Sequence, residues 1–152
     1  MKITLFELKK IIRNEINAVL LKEGLQSKAI DISSENDEGS LSAVVHYDIN
    51  RIKNWALMEK LNNDLQQTLS ELPTPVSILK NIWIEPEARG KGIGRELINK
   101  YFEEADMASS FILIADNLET QTEGFDLIKW YEGYGLEVIG HSGSGPVMVY
   151  IP

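Results

Sequence analysis

The sequence predicts an α/β fold in which helices flank a central mixed sheet. Segments with helical spacing of apolar residues alternate along the chain with short, β-branched segments. A strand–helix–strand unit at residues 76–115 indicates at least one parallel strand pair joined by a crossover helix. The 152 residues suffice for one domain with a substantial core and are too few for two ordinary domains. We therefore expect a single domain over residues 1–152.

In the first half of the chain, two segments of helical spacing surround two candidate strands. Thr4 and Glu7 have the spacing of a capping box at the start of the first helix, and Gly24 ends it. The polar stretch around Gly39 predicts a hairpin between the strands, and Pro73 ends the second helix. The predicted elements are, in order, helix 4–24, strands 27–33 and 41–49, and helix 52–72.

The second half alternates strands with helices and closes with a pair of strands. The first strand is rich in β-branched residues, and the segment after it places apolar residues on one helical face. The sequence HSGSGP at 141–146 is interpreted as a flexible connection between the last two strands. The predicted strands are 76–84, 111–115, 136–139 and 147–151, and the predicted helices are 91–107 and 125–134.

The net charge and the missing residue types argue against several functions. A formal charge of −8 argues against a nucleic-acid partner, because phosphate backbones require clustered cations. Without cysteine there is no disulfide or thiolate chemistry, and the two histidines lie far apart, so we predict no metal site. No apolar run approaches the roughly 20 residues of a membrane span, and the first residues lack a signal peptide's apolar block. We therefore expect a cytoplasmic protein with no membrane partner.

A glycine-rich, cationic turn lies between the strand at 76–84 and the helix that follows it. The first N–H groups of a helix have no intrahelical acceptor and lie at the positive end of its dipole, so they attract anions. Glycine lets a phosphate approach the backbone closely, and three cations add positive charge within an acidic chain. The turn therefore predicts a phosphate-bearing ligand. Its residues are Arg89, Gly90, Lys91, Gly92, Ile93, Gly94 and Arg95.

Two common phosphate-binding motifs do not fit this turn. A P-loop requires Gly-Lys-Ser/Thr, but Lys91 is followed by Gly92. A dinucleotide-binding turn requires G-x-G-x-x-G, and neither Gly90 nor Gly92 begins that spacing. Asp116 does lie roughly where the ribose-binding acid of such a fold would fall, but this does not restore the motif. A turn that serves geometry alone is the remaining alternative.

The turn resembles the signature of the GNAT superfamily of acetyl-CoA-dependent N-acetyltransferases. That signature is Arg/Gln-x-x-Gly-x-Gly/Ala after a strand that ends in an apolar residue and a proline. The matching residues here are Ile84, Pro86, Arg89, Gly92 and Gly94. A later helix of the family often carries a tyrosine followed by a glycine and an apolar residue, and WYEGYGLEV matches with Tyr131 and Gly135. The resemblance covers about half of the chain, residues 76–151.

The resemblance implies a GNAT-like acyl-CoA N-acyltransferase fold with acetyl-CoA as co-substrate and no metal. The backbone amides of residues 89–95 would hold the coenzyme pyrophosphate. The preceding strand would splay from its parallel neighbour, and its unpaired backbone groups would bind the thioester carbonyl and the pantetheine amides. The residues in that stretch are Ile82, Trp83 and Ile84. Asn117, after the strand at 111–115, matches an asparagine that contacts the coenzyme.

The resemblance also implies catalytic roles. Tyr131 matches the general acid that protonates the departing coenzyme A thiolate, and a core aromatic beside Trp130 is the alternative interpretation. The attacking amine must lose a proton, usually to a carboxylate directly or through water. We rank Glu85 first for this role. The alternatives are Asp116, Glu119, Glu123 and His46.

The N-terminal half departs from the family pattern, because it opens with a helix and places a long helix just before the signature strand. We expect residues 1–75 to form the acceptor side and residues 76–152 to bind acetyl-CoA. The amphipathic first helix would cover the core, contact a partner or form a homodimer. Its sequence also looks like the starts of tailed-bacteriophage proteins, which is compatible with a phage-encoded enzyme in the host cytoplasm.

The expected function is therefore acetyl transfer from acetyl-CoA to a primary amine by direct attack. The chain offers no cysteine for a covalent acyl-enzyme. The acceptor is a small-molecule or peptide amine that the sequence does not identify. The alternative is a non-catalytic module with the same fold that binds acyl-CoA or another protein.

Overall fold

The computed structural model of the protein describes residues 4–22, 26–115 and 126–152. Its helices are α1 (Leu5–Lys22), α2 (Ile49–Met58), α3 (Asn63–Ser70), α4 (Ile93–Glu104) and α5 (Leu127–Glu132), with a 3₁₀ turn at Pro86–Ala88. Its strands are β1 (Ser27–Ser33), β2 (Gly39–His46), β3 (Val76–Ile84), β4 (Ser110–Ile114), β5 (Glu137–Ser142) and β6 (Gly145–Tyr150).

The strands form one six-stranded mixed sheet in the order β1-β2-β3-β4-β6-β5. β3 and β4 are parallel, and α4 is their crossover, whereas the other neighbouring strands are antiparallel. Ser142 pairs with Gly145 in the closing hairpin, so the connection predicted as flexible is a tight two-residue turn. The predicted mixed sheet flanked by helices is confirmed.

Helices cover both faces of this sheet. α4 and α5 pack on one face, where the buried side chains of Leu97, Tyr101 and Tyr131 contribute to the larger apolar core. α2 and α3 cover the other face, where Leu65 and Leu69 belong to a second buried cluster with residues of β3, β4 and β6. Burying one such leucine side chain contributes about 1.5–3 kcal/mol. The sheet is therefore held between two apolar layers.

The single long helix predicted over 52–72 is wrong, because the chain forms two helices there. Lys60 has a left-handed φ of 56°. The N–H of Lys60 donates to the Leu57 carbonyl and the N–H of Leu61 to the Ala56 carbonyl, which is the Schellman arrangement at a helix C-terminus. Asn62 then caps α3 by accepting a hydrogen bond from the Leu65 N–H at 2.8 Å. Lysine in the place of the usual glycine concealed this helix end.

The strand predicted to continue to residue 49 ends earlier. The Asp48 side chain accepts a hydrogen bond from the Asn50 N–H at 2.9 Å and so caps α2, which begins at Ile49. An aspartate directly before a segment with helical spacing of apolar residues is a signal for the start of a helix. The apolar–polar alternation of the preceding strand obscured this signal.

The parallel pair β3–β4 separates partway along its length. Its only pairs in the described residues join Val76 to Ser110, Ser77 to Phe111 and Ile78 to Ile112. Beyond these pairs β3 stays with β2 as far as Ile84, and β4 stays with β6. Lys80 has no Cα partner in β2 because the register shifts there, which is a β-bulge. The sheet therefore forks at its centre, just before the glycine-rich turn.

Candidate functional site

The turn after β3 has the left-handed backbone that its glycines permit. Gly90 has a φ of 84° and Gly92 has a φ of 81°, and Gly92 is also the residue that caps α4. An added Cβ at either position would contact nothing within 4 Å, so backbone conformation and not crowding favours glycine there. The two glycines bend the chain from the end of β3 into the first turn of α4.

The start of α4 presents backbone donors. The N–H of Glu96 donates to the Gly92 carbonyl at 3.1 Å. The amides of Ile93, Gly94 and Arg95 precede that bond and therefore have no acceptor within the helix. They lie at the positive end of the helix dipole, where an anion is stabilised. This geometry suits the phosphate-bearing ligand that the sequence predicts.

A cleft of about 500 Å³ opens beside these donors. Its walls come from the end of β3, the turn, α4 and α5, and they are mostly apolar with arginine at one side. The lining residues are Ile82, Ile84, Ala88, Arg89, Gly90, Gly92, Ile93, Gly94, Arg95, Leu127 and Trp130. An anion-binding turn at the edge of an apolar cleft suits a ligand with a phosphate group and a long, weakly polar arm.

Gly94 lies at a tightly packed position. A Cβ at this position would lie 3.2 Å from Ile84 Cδ1 and 3.2 Å from Trp130 Cζ2. α4 therefore passes close to both β3 and α5 at this residue, and a side chain there would require Ile84 and Trp130 to shift by a few tenths of an ångström. All three residues line the cleft.

The cations of the turn are placed differently from one another. The Arg89 Nε donates to the Ile84 carbonyl at 3.3 Å, and its guanidinium lies 5.5 Å from the centre of the Trp83 ring. Arg89 is thus held against the end of β3, and Arg95 also lines the cleft. Lys91 is exposed and is not among the lining residues. Trp83, which is 41% exposed, is likewise outside the lining set.

The structure buries Tyr131 in the core. Its side chain is 4% exposed and its ring lies 5.1 Å from that of Trp130. Burial raises the pKa of the Tyr131 phenol to about 12, so the hydroxyl stays protonated at neutral pH. Leu127 and Trp130 of the same helix line the cleft, whereas Tyr131 is not among the lining residues.

The other predicted catalytic residues are distributed around the site. Glu85 is exposed at the end of β3, where its N–H donates to the Glu38 carbonyl at 2.8 Å. His46 pairs with Val76 at the opposite end of β3 from the turn, roughly 26 Å away at the rise of a strand. Asn117 and the alternative bases Asp116, Glu119 and Glu123 lie outside the described residues.

His46 has its own polar surroundings at that distant end. Its Nδ1 lies 2.7 Å from the Ser27 hydroxyl. Burial, and then the charges of Arg51 and Lys80, hold the pKa of His46 below its usual value. The imidazole is therefore mainly neutral near pH 7, but it is too far from the turn to act there.

The sequence did not predict that α5 forms a wall of the cleft. Leu127 and Trp130 lie more than thirty positions after the turn, and only the fold brings them to it. The tryptophan beside Tyr131 in WYEGYGLEV was the available signal, because ligand pockets are lined predominantly by apolar and aromatic side chains.

The fold and the turn together define a class of protein. A mixed six-stranded sheet with helices on its faces matches the acyl-CoA N-acyltransferase fold. The model of the Acetyltransferase (GNAT) family matches residues 22–136, about three quarters of the chain. The protein belongs to this family, as the glycine-rich signature predicted. Members of the family use acetyl-CoA or another acyl-CoA.

The solved structures that this chain resembles share low sequence identity with it. The ribosomal-protein-S18-alanine N-acetyltransferase of Escherichia coli is 12% identical with a TM-score of 0.46, covering 99% of this chain and 91% of that one. An N-acetyltransferase of Staphylococcus aureus Mu50 is 18% identical with a TM-score of 0.46, covering 82% of this chain and 69% of that one. A search of the curated proteins found no significant match.

Metal-binding groups and membrane-spanning helices were also sought among the described residues. Within the part of the chain that the structure describes, no three His, Asp or Glu side chains gather in a group that could hold a metal ion. None of the described helices is long and apolar enough to cross a membrane.

Proposed function

We propose that the protein transfers an acetyl group from acetyl-CoA to a primary amine. The observation that carries this proposal is the fork between β3 and β4, which opens beside the glycine-rich turn at the start of α4. A forked parallel pair leaves backbone groups of β3 without partners on one side, and a ligand that pairs with them replaces the lost hydrogen bonds. Family membership supplies the class of reaction.

Acetyl-CoA fits the cleft by the chemistry of its parts. Its pyrophosphate would accept hydrogen bonds from the amides at the start of α4, with Arg89 and Arg95 at the same end. Its pantetheine arm would run along the free side of β3 past Ile84 and Ile82, both in the cleft wall. Gly90 and Gly92 carry no side chain and lie beside open space, so their backbone is accessible to a ligand.

The reaction exchanges a carbon–sulfur bond for a carbon–nitrogen bond. A neutral amine attacks the thioester carbon, the bond to sulfur breaks, and the acetyl group remains on nitrogen. The nitrogen proton passes to a base, directly or through water, and the thiolate gains a proton from a donor. We assign the donor role to Tyr131, whose phenol keeps its proton at neutral pH and whose neighbours in α5, Leu127 and Trp130, line the cleft, although Tyr131 itself does not. Glu85, exposed at the end of β3, is our first candidate for the base.

The acceptor is proposed to approach from the face that α2 and α3 cover. A Cβ on Gly140 would lie 2.5 Å from Leu65 Cδ2, so the start of α3 lies over this part of β5. Gly140 is in register with Val147, and Val147 is in register with Ile114 of β4, beyond the last β3–β4 pair. β6 separates β5 from β4, so the start of α3 covers the sheet on the β4 side of the fork. We propose that residues 1–75 form the acceptor side.

Calorimetric titration and a thiol-release assay test the proposal together. Binding of acetyl-CoA and of coenzyme A, with release of free thiol in the presence of at least one amine from a broad panel, is the expected result. A failure of both ligands to bind would contradict the proposal. Binding without turnover on any amine would favour the alternative, an acyl-CoA-binding module, to which the exposed apolar residues of α1 lend support.

A further inference from the structure

The side chain of Trp83 lies on the face of β3 that is turned away from the cleft. Side chains of a strand alternate between the two faces of its sheet, so Trp83 points opposite to Ile82 and Ile84, which both line the cleft. The Trp83 side chain is 41% exposed and is not among the lining residues. Its ring is therefore not part of the cleft wall.

The Trp83 ring lies beside the guanidinium of Arg89. The Arg89 Cζ atom is 5.5 Å from the centre of the ring, within the distance of about 6 Å at which an aromatic face attracts a cation. Arg89 itself lines the cleft. One arginine therefore connects the exposed ring on one face of β3 with the cleft beside the other face.

Arg89 also donates to the open side of β3. The Glu85 N–H donates to the carbonyl of Glu38, the residue just before β2, so it points towards β2. The Ile84 carbonyl belongs to the same planar trans peptide unit and therefore points the opposite way, towards the fork. The Arg89 Nε donates to this carbonyl at 3.3 Å. The guanidinium thus lies on the fork side of β3, at the end where the glycine-rich turn begins.

The hydrogen bond to Ile84 alone is a weak restraint on so long a side chain. Its length of 3.3 Å exceeds the roughly 2.9–3.0 Å that is most common for N–H···O bonds. Among the described residues, no carboxylate forms an ion pair with Arg89. A mobile arginine side chain has many rotamers, and ordering it on binding reduces the affinity for a ligand. The Trp83 ring supplies a second restraint that is present before any ligand binds.

We propose that Trp83 is a positioning residue for the coenzyme, because its ring holds the Arg89 guanidinium where the phosphates would bind at the start of α4. A guanidinium has five N–H donors, and the bond to Ile84 uses one of them. Donors that are already in place bind an oxyanion more tightly than mobile ones, since less entropy is lost. This inference rests on the proposed binding of acetyl-CoA, and it assigns a role in that binding to a side chain outside the cleft.

Calorimetry with coenzyme A on two matched variants tests the proposal. Trp83→Leu keeps an apolar side chain and removes the aromatic face, so the Kd for coenzyme A should rise about fivefold, the size expected of a partly exposed cation–π contact. Trp83→Phe keeps an aromatic face, and its Kd should rise by no more than about twofold. Pantetheine, which lacks the phosphates, should bind both variants as it binds the wild type. Equal rises for coenzyme A in the two variants, or an equal loss of pantetheine binding in Trp83→Leu, overturn the proposal.

The Arg89 side-chain resonance reports the same contact without a ligand. The ring current of Trp83 should shift the proton signal of the Arg89 Nε–H group in the wild type. Trp83→Leu should move this signal towards its position in an unstructured peptide, and Trp83→Phe should retain part of the shift. A signal at the same position in the wild type and in Trp83→Leu would show that the ring does not hold the guanidinium, which overturns the proposal.

A double-mutant cycle separates a role through Arg89 from any other role of Trp83. In an Arg89→Met background, Trp83→Leu should leave the Kd for coenzyme A unchanged, because the cation that the ring holds has been removed. Arg89→Met alone should raise that Kd more than Trp83→Leu alone. If Trp83→Leu raises the Kd equally in both backgrounds, the positioning role is wrong and the proposed function stands. A wild-type chain that does not bind coenzyme A overturns both.

Discussion

Gly90, Gly92 and Gly94 occupy similar places in the sequence RGKGIGR but serve different physical needs. Gly90 and Gly92 adopt left-handed φ values that cost an L-residue about 1–2 kcal/mol. Gly94 is helical, and a side chain there would press on Ile84 and Trp130. The first two glycines therefore shape the backbone of the turn, and the third lets α4 pass close to β3 and α5.

Substitution of Gly92 tests the backbone conformation of the turn. Gly92→Ala should lower the free energy of unfolding by about 1–2 kcal/mol, because its φ is 81°, and should weaken binding of coenzyme A. Gly143→Ala is the matched control, since a Cβ there contacts nothing within 4 Å and its φ is not left-handed. The control should change stability by less than about 0.5 kcal/mol. Equal effects in urea titration of the two variants would contradict this account of the turn.

Substitution of Tyr131 separates catalysis from binding. Tyr131→Phe removes the phenolic proton donor and keeps the buried ring, so turnover should fall by about 10²-fold or more with little change in affinity for coenzyme A. Tyr134→Phe, on a ring that stacks edge-on against Trp130, is the control and should keep full turnover. Steady-state kinetics and calorimetry check both. If Tyr131→Phe retains full turnover, Tyr131 is a core aromatic only.

At the scale of elements, the end of α2 carries exposed apolar side chains in the half of the chain that we propose as the acceptor side. Leu57 and Met58 are 59% and 81% exposed there, immediately before the Schellman turn. Exposed apolar residues are available to contact a substrate. The short connection between the helices is therefore the part of the N-terminal half that we expect to influence the acceptor.

A positive charge introduced at the end of α2 should change the KM for the amine and leave the KM for acetyl-CoA unchanged. Met58→Lys should raise the KM for a protonated amine a few-fold, because a cation at a partly exposed site contributes roughly 0.5–1 kcal/mol of repulsion. The KM for acetyl-CoA should stay unchanged. Val138→Lys alters an exposed apolar residue on β5 and should leave both values unchanged. An equal change in the KM for acetyl-CoA would show that this turn does not act on the acceptor.

The sequence predicted some elements and not others for identifiable reasons. The glycine turn at the start of α4 was predictable because Gly90, Gly92 and the cations are local to one segment. The break between α2 and α3 was not, because Leu61 continues the helical spacing of buried residues across Lys60 and Asn62. The wall formed by Leu127 and Trp130 was not predictable either, since it depends on how α5 packs against Gly94.

At the scale of the whole molecule, the fold buries Tyr101 and Tyr131 so deeply that the free energy of unfolding should decrease at alkaline pH. Burial raises the pKa of Tyr101, partly offset by a hydrogen bond with Ser77, and burial raises the pKa of Tyr131 to about 12. The folded state therefore holds these protons more tightly than the unfolded state, whose tyrosines titrate near pH 10. The resulting stabilisation is complete below about pH 10 and is lost as pH rises towards 12 and beyond.

Urea unfolding as a function of pH tests this dependence. The free energy of unfolding should fall by roughly 2 kcal/mol between pH 10 and 12 from Tyr131 alone, since a pKa raised from 10 to about 12 is worth about 3 kcal/mol in all and part of that is lost outside this interval. Tyr131→Phe should show a shallower decline over the same interval. Identical slopes for the two proteins would mean that Tyr131 titrates normally in the folded state.

The central claim is that the turn and the fork form one binding site for an acyl-CoA. Amide chemical shifts measured during titration with acetyl-CoA test this claim most directly. The largest changes should fall on the amides of Gly90, Gly92 and Gly94 and on those of Ile82–Ile84, while the amide of His46 at the far end of β2 stays unmoved. Saturating acetyl-CoA that leaves the three glycine amides unchanged, or that shifts only residues elsewhere, would contradict the account.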